Sequence, residues 1–99
     1  MTWKWLTFWR GRREKTLANW RVVMYTRDGC HLCDDAWTLL EAGRARYRFA
    51  LTKVDVESNA ELAQRFGLEV PVVEVNGTVR FRGVVNAVLL QRLLDAGDG

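Results

Sequence analysis

The 99-residue chain has a single proline, a single histidine and two cysteines, and each scarcity removes a class of protein. Two cysteines cannot build the network of bridges with which small secreted scaffolds replace a core. A self-contained structural zinc site takes four ligands, and the chain gathers only Cys30, His31 and Cys33 in one place. No apolar run nears the roughly 18–20 residues of a membrane-spanning helix, and residues 1–20 lack the apolar core of about 7 residues that a secretory signal needs. With 48% hydrophobic and 27% charged residues, the composition excludes disorder and collagen-like repeats. The length suits one hydrophobic core and not two.

What is abundant is unevenly placed. Residues 1–21 hold six basic side chains against Glu14 alone, whereas the remainder holds nine basic and eleven acidic ones. The net charge of +3 therefore belongs to an appendage on a nearly neutral body. Four of the five tryptophans (Trp3, Trp5, Trp9 and Trp20) fall in that same stretch. Composition thus divides the chain into a basic, Trp-rich extension, 1–20, and a domain, 21–99.

From Arg21 onward strand-like and helix-like stretches alternate. Residues 21–26 are β-branched and aromatic and run into Asp28-Gly29, a loop signal. Residues 30–44 place Leu32, Ala36, Leu39 and Leu40 at helical spacing, with Asp34 and Asp35 in the first turn and Gly43 as the expected stop. A second strand is expected over 47–56, and a short helix capped by Ser58 or Asn59 through Phe66. Val70-Pro71 opens a third strand, Asn76-Gly77 is a strong hairpin signal, and 78–82 is the return strand. Residues 84–96 read as an amphipathic terminal helix. The order is β-α-β-α-β-β-α, an α/β class in which a right-handed crossover gives a parallel pair and the hairpin adds antiparallel strands. The expectation is a mixed four-stranded sheet flanked by helices.

The cysteines lie where the first strand meets the first helix. A thiol there faces unpaired backbone N–H groups and the positive end of the helix dipole, which favour thiolate. Cys30 is accordingly read as the nucleophile, and Cys33, one turn on, as the thiol placed to resolve a mixed disulfide. His31 and Arg27 are cations able to assist, opposed by Asp34 and Asp35. On residues alone, two other readings stand: half of a metal site completed by a second chain, and two incidental thiols. Arg44, Arg46 and Arg48 read as a solvated face, Trp37 and Phe49 as core, and Lys53 and Asp55 as strand-edge charges.

Tyr25-Thr-Arg-Asp-Gly-Cys30-His-Leu-Cys33, with Lys53-Val-Asp55, Phe66-Gly67, Val70-Pro71, Asn76-Gly77 and Gly83, resembles the glutaredoxin-like branch of the thioredoxin superfamily. It is similar in particular to small bacterial and archaeal members whose active site reads Cys-His-Leu-Cys. The resemblance spans 21 to about 96 and implies a thioredoxin-like fold, a thiol-disulfide oxidoreductase activity and a cytoplasmic setting. It further implies a cis bond before Pro71, a backbone pairing role for Val70 toward bound glutathione or peptide, and a carboxylate-binding role for Arg27. Gly83 follows the last strand, as in the family. His31 and Leu32 stand where glutaredoxins usually carry proline and tyrosine, and Gly83-Val84-Val85-Asn86 where they carry a second glycine and an acidic pair. Glutathione as co-substrate and a protein disulfide are therefore both expected partners, with a reductase to reset the pair. No resident cofactor is expected.

Two competing functions follow from the same residues. One is a metal or iron–sulfur module shared by two chains through Cys30, and the other a redox-inert adaptor acting through the arm. Residues 3–13, aromatic then basic, read as a peripheral membrane or protein-docking segment, or as a flap on the domain itself. Nucleic acid is not an expected partner.

Overall fold

The computed structural model describes residues 16–97. The expectations for residues 3–13, and with them Trp3, Trp5 and Trp9, lie outside these residues. Within them the chain runs β1 (Arg21–Thr26), α1 (His31–Tyr47), β2 (Ala50–Asp55), a 3-10 turn (Val56–Ser58), α2 (Ala60–Phe66), β3 (Val72–Val75), β4 (Thr78–Arg82) and α3 (Ala87–Ala96). The four strands form one sheet in the order β2-β1-β3-β4. β1 pairs parallel with β2, and β3 pairs antiparallel with both β1 and β4. The expected mixed sheet and element order are those observed.

Local chemistry accounts for the boundaries. Asn76 and Gly77 both take positive φ (51° and 87°), the combination that lets a two-residue turn follow the twist of the strands it joins. The Asn76 side chain also accepts from the Arg21 N–H at 2.8 Å, which fastens the hairpin to β1. Asn59, rather than Ser58, caps α2: its Oδ1 accepts from the N–H groups of Glu61 and Leu62. Ser58 instead donates to the Asp55 carbonyl inside the 3-10 turn, a turn the sequence pattern did not announce.

Four expectations move, the simplest being that β3 starts at Val72 and leaves Val70 and Pro71 in the loop before it. Gly43 does not stop α1, which continues to Tyr47 and ends on Arg48 in the left-handed conformation, φ 66°. Continuation buries the Tyr47 ring, and the missing Cβ of Gly43 serves packing: a methyl there would meet Leu94 Cδ1 at 3.0 Å and the Phe49 ring at 3.4 Å. The second strand accordingly starts at Ala50, not 47. α3 starts at Ala87 rather than 84, because Asn86 caps it through the Leu89 N–H, and Val85 is buried from the preceding loop.

Alternating strand residues build a core on each face of the sheet. On one face Val22, Met24, Val73 and Val75 pack with Cys33, Ala36 and Leu40 of α1 and Leu90 and Leu94 of α3. On the other, Val72 packs with Val56 and with Phe66 of α2, supported by Tyr25 and Val70. Leu17 and Trp20, assigned by composition to the extension, are 3% and 5% exposed and belong to the larger core. The Leu17 N–H donates to the Tyr47 carbonyl at 2.7 Å, and the Ala50 N–H to the Trp20 carbonyl at 3.0 Å. The packed unit therefore begins by Leu17; charge and tryptophan content misplace its edge because they do not register which aromatics are buried.

Candidate active site

The parallel and antiparallel registers bring three chain segments to one end of the sheet. β1 pairs Thr26 with Asp55 at the end of β2 and Tyr25 with Val72 at the start of β3. The loop leaving β1, the end of β2 and the loop entering β3 consequently meet where α1 begins. Cys30 is the N-cap of α1, in extended conformation, and Cys33 is in its first turn. The two sulfurs are joined in a disulfide with the Cα atoms 5.2 Å apart. The Cys33 N–H donates to Cys30 Sγ at 3.0 Å. That N–H is one of the orphan donors of a helix start, and here the cap acceptor is the Cys30 sulfur itself.

Burial separates the two cysteines. Cys33 is 2% exposed within the core, whereas Cys30 is only partly buried and packs against its edge. Of the two, only Cys30 reaches the surface. His31, the first residue of α1, and Leu32 are both exposed beside it.

The third segment carries the Val70–Pro71 peptide bond, which is cis. Gly83, φ 82°, directs its N–H to both the Glu69 and the Pro71 carbonyls, at 2.9 and 2.8 Å. This shared bond ties the end of β4 to both sides of Val70. Val70 packs under both cores, whereas its own N–H and C=O make no backbone hydrogen bond among the described residues. Tyr25 underlies the same loop: its ring centroid lies 4.7 Å from that of Phe66 and its hydroxyl donates to Glu74 at 3.1 Å. Burial, then the neighbouring Glu74 carboxylate, raises the Tyr25 pKa above its usual 10.0.

Arg27 is more occupied than a solvated loop cation or a waiting carboxylate receptor. Its Nη1 donates to the Gly67 carbonyl at 2.8 Å, and its Nη2 is 3.4 Å from Glu57. It braces the Cys30 loop against the end of α2 and the 3-10 turn. Arg27, Asp28, Cys30, Asp34, Lys53 and Asp55 line a pocket of ≈ 320 Å³. Lys53 also sets its ammonium 4.3 Å from the centroid of the Trp37 ring. Lys53 and Asp55 are strand-edge charges as expected, since β2 is an edge strand. Their convergence on the Cys30 pocket was not read from sequence; the signal was the period-2 spacing of 53 and 55 together with the Thr26–Asp55 register.

Among the described residues no cluster of three or more His, Cys, Asp or Glu side chains is arranged to hold a metal ion, and no helix is long and apolar enough to cross a membrane.

A model of the glutaredoxin-like domain (DUF836) matches residues 21–95. No curated protein matches the chain. Among solved structures, protein XcR50 from X. campestris is 35% identical, covering 77% of this chain and 97% of its own, with a TM-score of 0.61. Reduced desulfothioredoxin from Desulfovibrio vulgaris Hildenborough is 28% identical over 79% of this chain and 81% of its own, TM-score 0.61. Protein Ne2328 from Nitrosomonas europaea, 20% identical over 81% and 96% with a TM-score of 0.67, is a likeness of fold alone.

Proposed function

The chain belongs to the glutaredoxin-like domain family, and from that premise we propose that it is a thiol-disulfide oxidoreductase acting in a reducing cytoplasm. The carrying observation is the asymmetry of the pair: Cys30 partly exposed at the head of α1, Cys33 buried one turn on and donating its N–H to the Cys30 sulfur.

In the reduced protein that N–H and the positive end of the α1 dipole stabilise a Cys30 thiolate. The thiolate attacks one sulfur of a substrate disulfide, forming a Cys30–substrate disulfide and releasing the first substrate thiolate, which takes up a proton. Cys33 then loses its proton and attacks Cys30 Sγ, closing the Cys30–Cys33 disulfide and releasing the second substrate thiol. Two electrons pass from the dithiol to the substrate. Glutathione, as two molecules, or a dithiol reductase returns them. Val70, whose backbone N–H and C=O make no backbone hydrogen bond among the described residues, offers the groups that an extended substrate segment pairs with.

Reduction of a model disulfide by wild type, Cys30→Ser and Cys33→Ser tests the assignment. Wild type should turn over, Cys30→Ser should be inert, and Cys33→Ser should accumulate a mixed disulfide visible by mass spectrometry. Equal rates for Cys30→Ser and wild type would sink the reading, and a coloured, metal-bearing dimer isolated without oxygen would point to the shared-metal alternative.

A further inference from the structure

The pocket that contains Cys30 also contains charge of both signs, but the two signs are not equally available. Of its two cations, Arg27 is engaged by the Gly67 carbonyl and Glu57, and the Lys53 ammonium lies over the Trp37 ring. Of its three carboxylates, Asp55 accepts from the Glu57 N–H at 2.8 Å. Asp28 and Asp34 are exposed and make no ion pair with any described residue. Asp34 sits in the first turn of α1, where its charge suits the dipole, yet the same position sets it one turn beyond the reacting sulfur. With three carboxylates against two cations, and Arg27 further offset by Glu57, the net charge that a substrate meets on this side of Cys30 is negative.

Resting on the oxidoreductase reading above, we propose that Asp28 and Asp34 set the substrate class of Cys30: disulfides in protein segments whose cysteine is flanked by cationic residues, with anionic disulfides, glutathione disulfide included, disfavoured. Each half of glutathione disulfide carries two carboxylates against one ammonium, so it approaches two uncommitted carboxylates with a net negative charge. A lysine- or arginine-flanked cysteine approaches them with attraction. Exposed Leu32, in the first turn of α1, and exposed Val84, in the loop after β4, suit a polypeptide better than a small anionic tripeptide. The electron balance is unchanged: the dithiol becomes the Cys30–Cys33 disulfide and the substrate disulfide becomes two thiols.

The test uses short peptides with a central cysteine flanked on both sides by lysine, glutamine or glutamate, each oxidised to its symmetric disulfide, with glutathione disulfide as a fourth substrate. The reduced full-length protein is mixed with each, and every rate is divided by that of 2-mercaptoethanol attacking the same disulfide, which removes intrinsic reactivity. Two exposed carboxylates predict a lysine-to-glutamate ratio of about fivefold at low ionic strength. The ratio should approach one in 1 M salt, where the screening length is only about 3 Å. The double variant Asp28→Asn/Asp34→Asn should fall to within about twofold of one already at low salt. Any change it causes in Cys30 acidity alters all rates together and cancels in the ratio. A wild-type ratio at or below one, glutathione disulfide outpacing the glutamine peptide, or a ratio that persists in the double variant overturns the proposal while leaving the oxidoreductase intact. Failure to reduce any of the four overturns both.

Discussion

Deleting residues 1–20 should cost the domain far more stability than deleting residues 1–15. The difference rests on Leu17 and Trp20, both buried in the larger core. Truncating a core Leu costs about 2–5 kcal/mol and a core Trp about 3–5. Because the two share one cluster, their costs overlap and do not simply sum. The backbone bonds from Leu17 to Tyr47 and from Ala50 to Trp20 contribute on the order of 1 kcal/mol each. A loss of about 5–8 kcal/mol is comparable with the whole stability of a domain this size, at roughly 0.05–0.15 kcal/mol per residue. Urea unfolding followed by tryptophan fluorescence and by circular dichroism should show a cooperative transition for the shorter deletion and a midpoint far lower, or no transition at all, for the longer one. If the two deletions unfold within about 1 kcal/mol of each other, Leu17 and Trp20 do not anchor the core, and the reasoning fails. A functional test of the arm thus requires the cut at 15; at 20 it would confuse a lost partner with a lost fold.

Arg27→Ala should lower stability by about 1–2 kcal/mol through the abandoned Gly67 carbonyl, measured by urea titration, with the exposed Glu57 pair adding little. Tyr47, which donates to Asp95 and accepts from Gln91, has its pKa raised above 10.0, chiefly by burial and then by the Asp95 bond. The folded state therefore holds this proton more tightly than the unfolded chain. The resulting stability is fully present below pH 10 and is lost as pH rises through the folded value. Tyr47→Phe should flatten the alkaline fall in unfolding free energy, and an undiminished slope above pH 10 would assign that fall to other groups.

Features fixed within a few residues were legible in the sequence. Asn76-Gly77 specifies its turn through two positive φ angles, Asn59 caps α2 with its own side chain, and Cys30-His-Leu-Cys33 marks a helix start wherever that helix packs. Features that depend on distant chain segments were not legible. Gly43 looks like a stop until Leu94 and Phe49 occupy the space beside it. Trp20 looks like part of a basic arm until Ala50 bonds to its carbonyl. Arg27 looks available until Gly67, forty residues later, takes its guanidinium, and Lys53 and Asp55 reach the Cys30 pocket only once β1 and β2 are in register.

The one N–H of Gly83, divided between the carbonyls of Glu69 and Pro71, occupies the acceptors on both sides of Val70 and no others. An extended visitor lying along this loop would find a ladder a single residue long. One rung pair is too little to hold a strand, so the loop does not behave as a sticky sheet edge. Under the proposed thiol-disulfide exchange, it is enough to orient a backbone held covalently by the Cys30 sulfur. Recognition built this way would read the shape of a main chain and leave preference among sequences to the charges that we propose act at the rim.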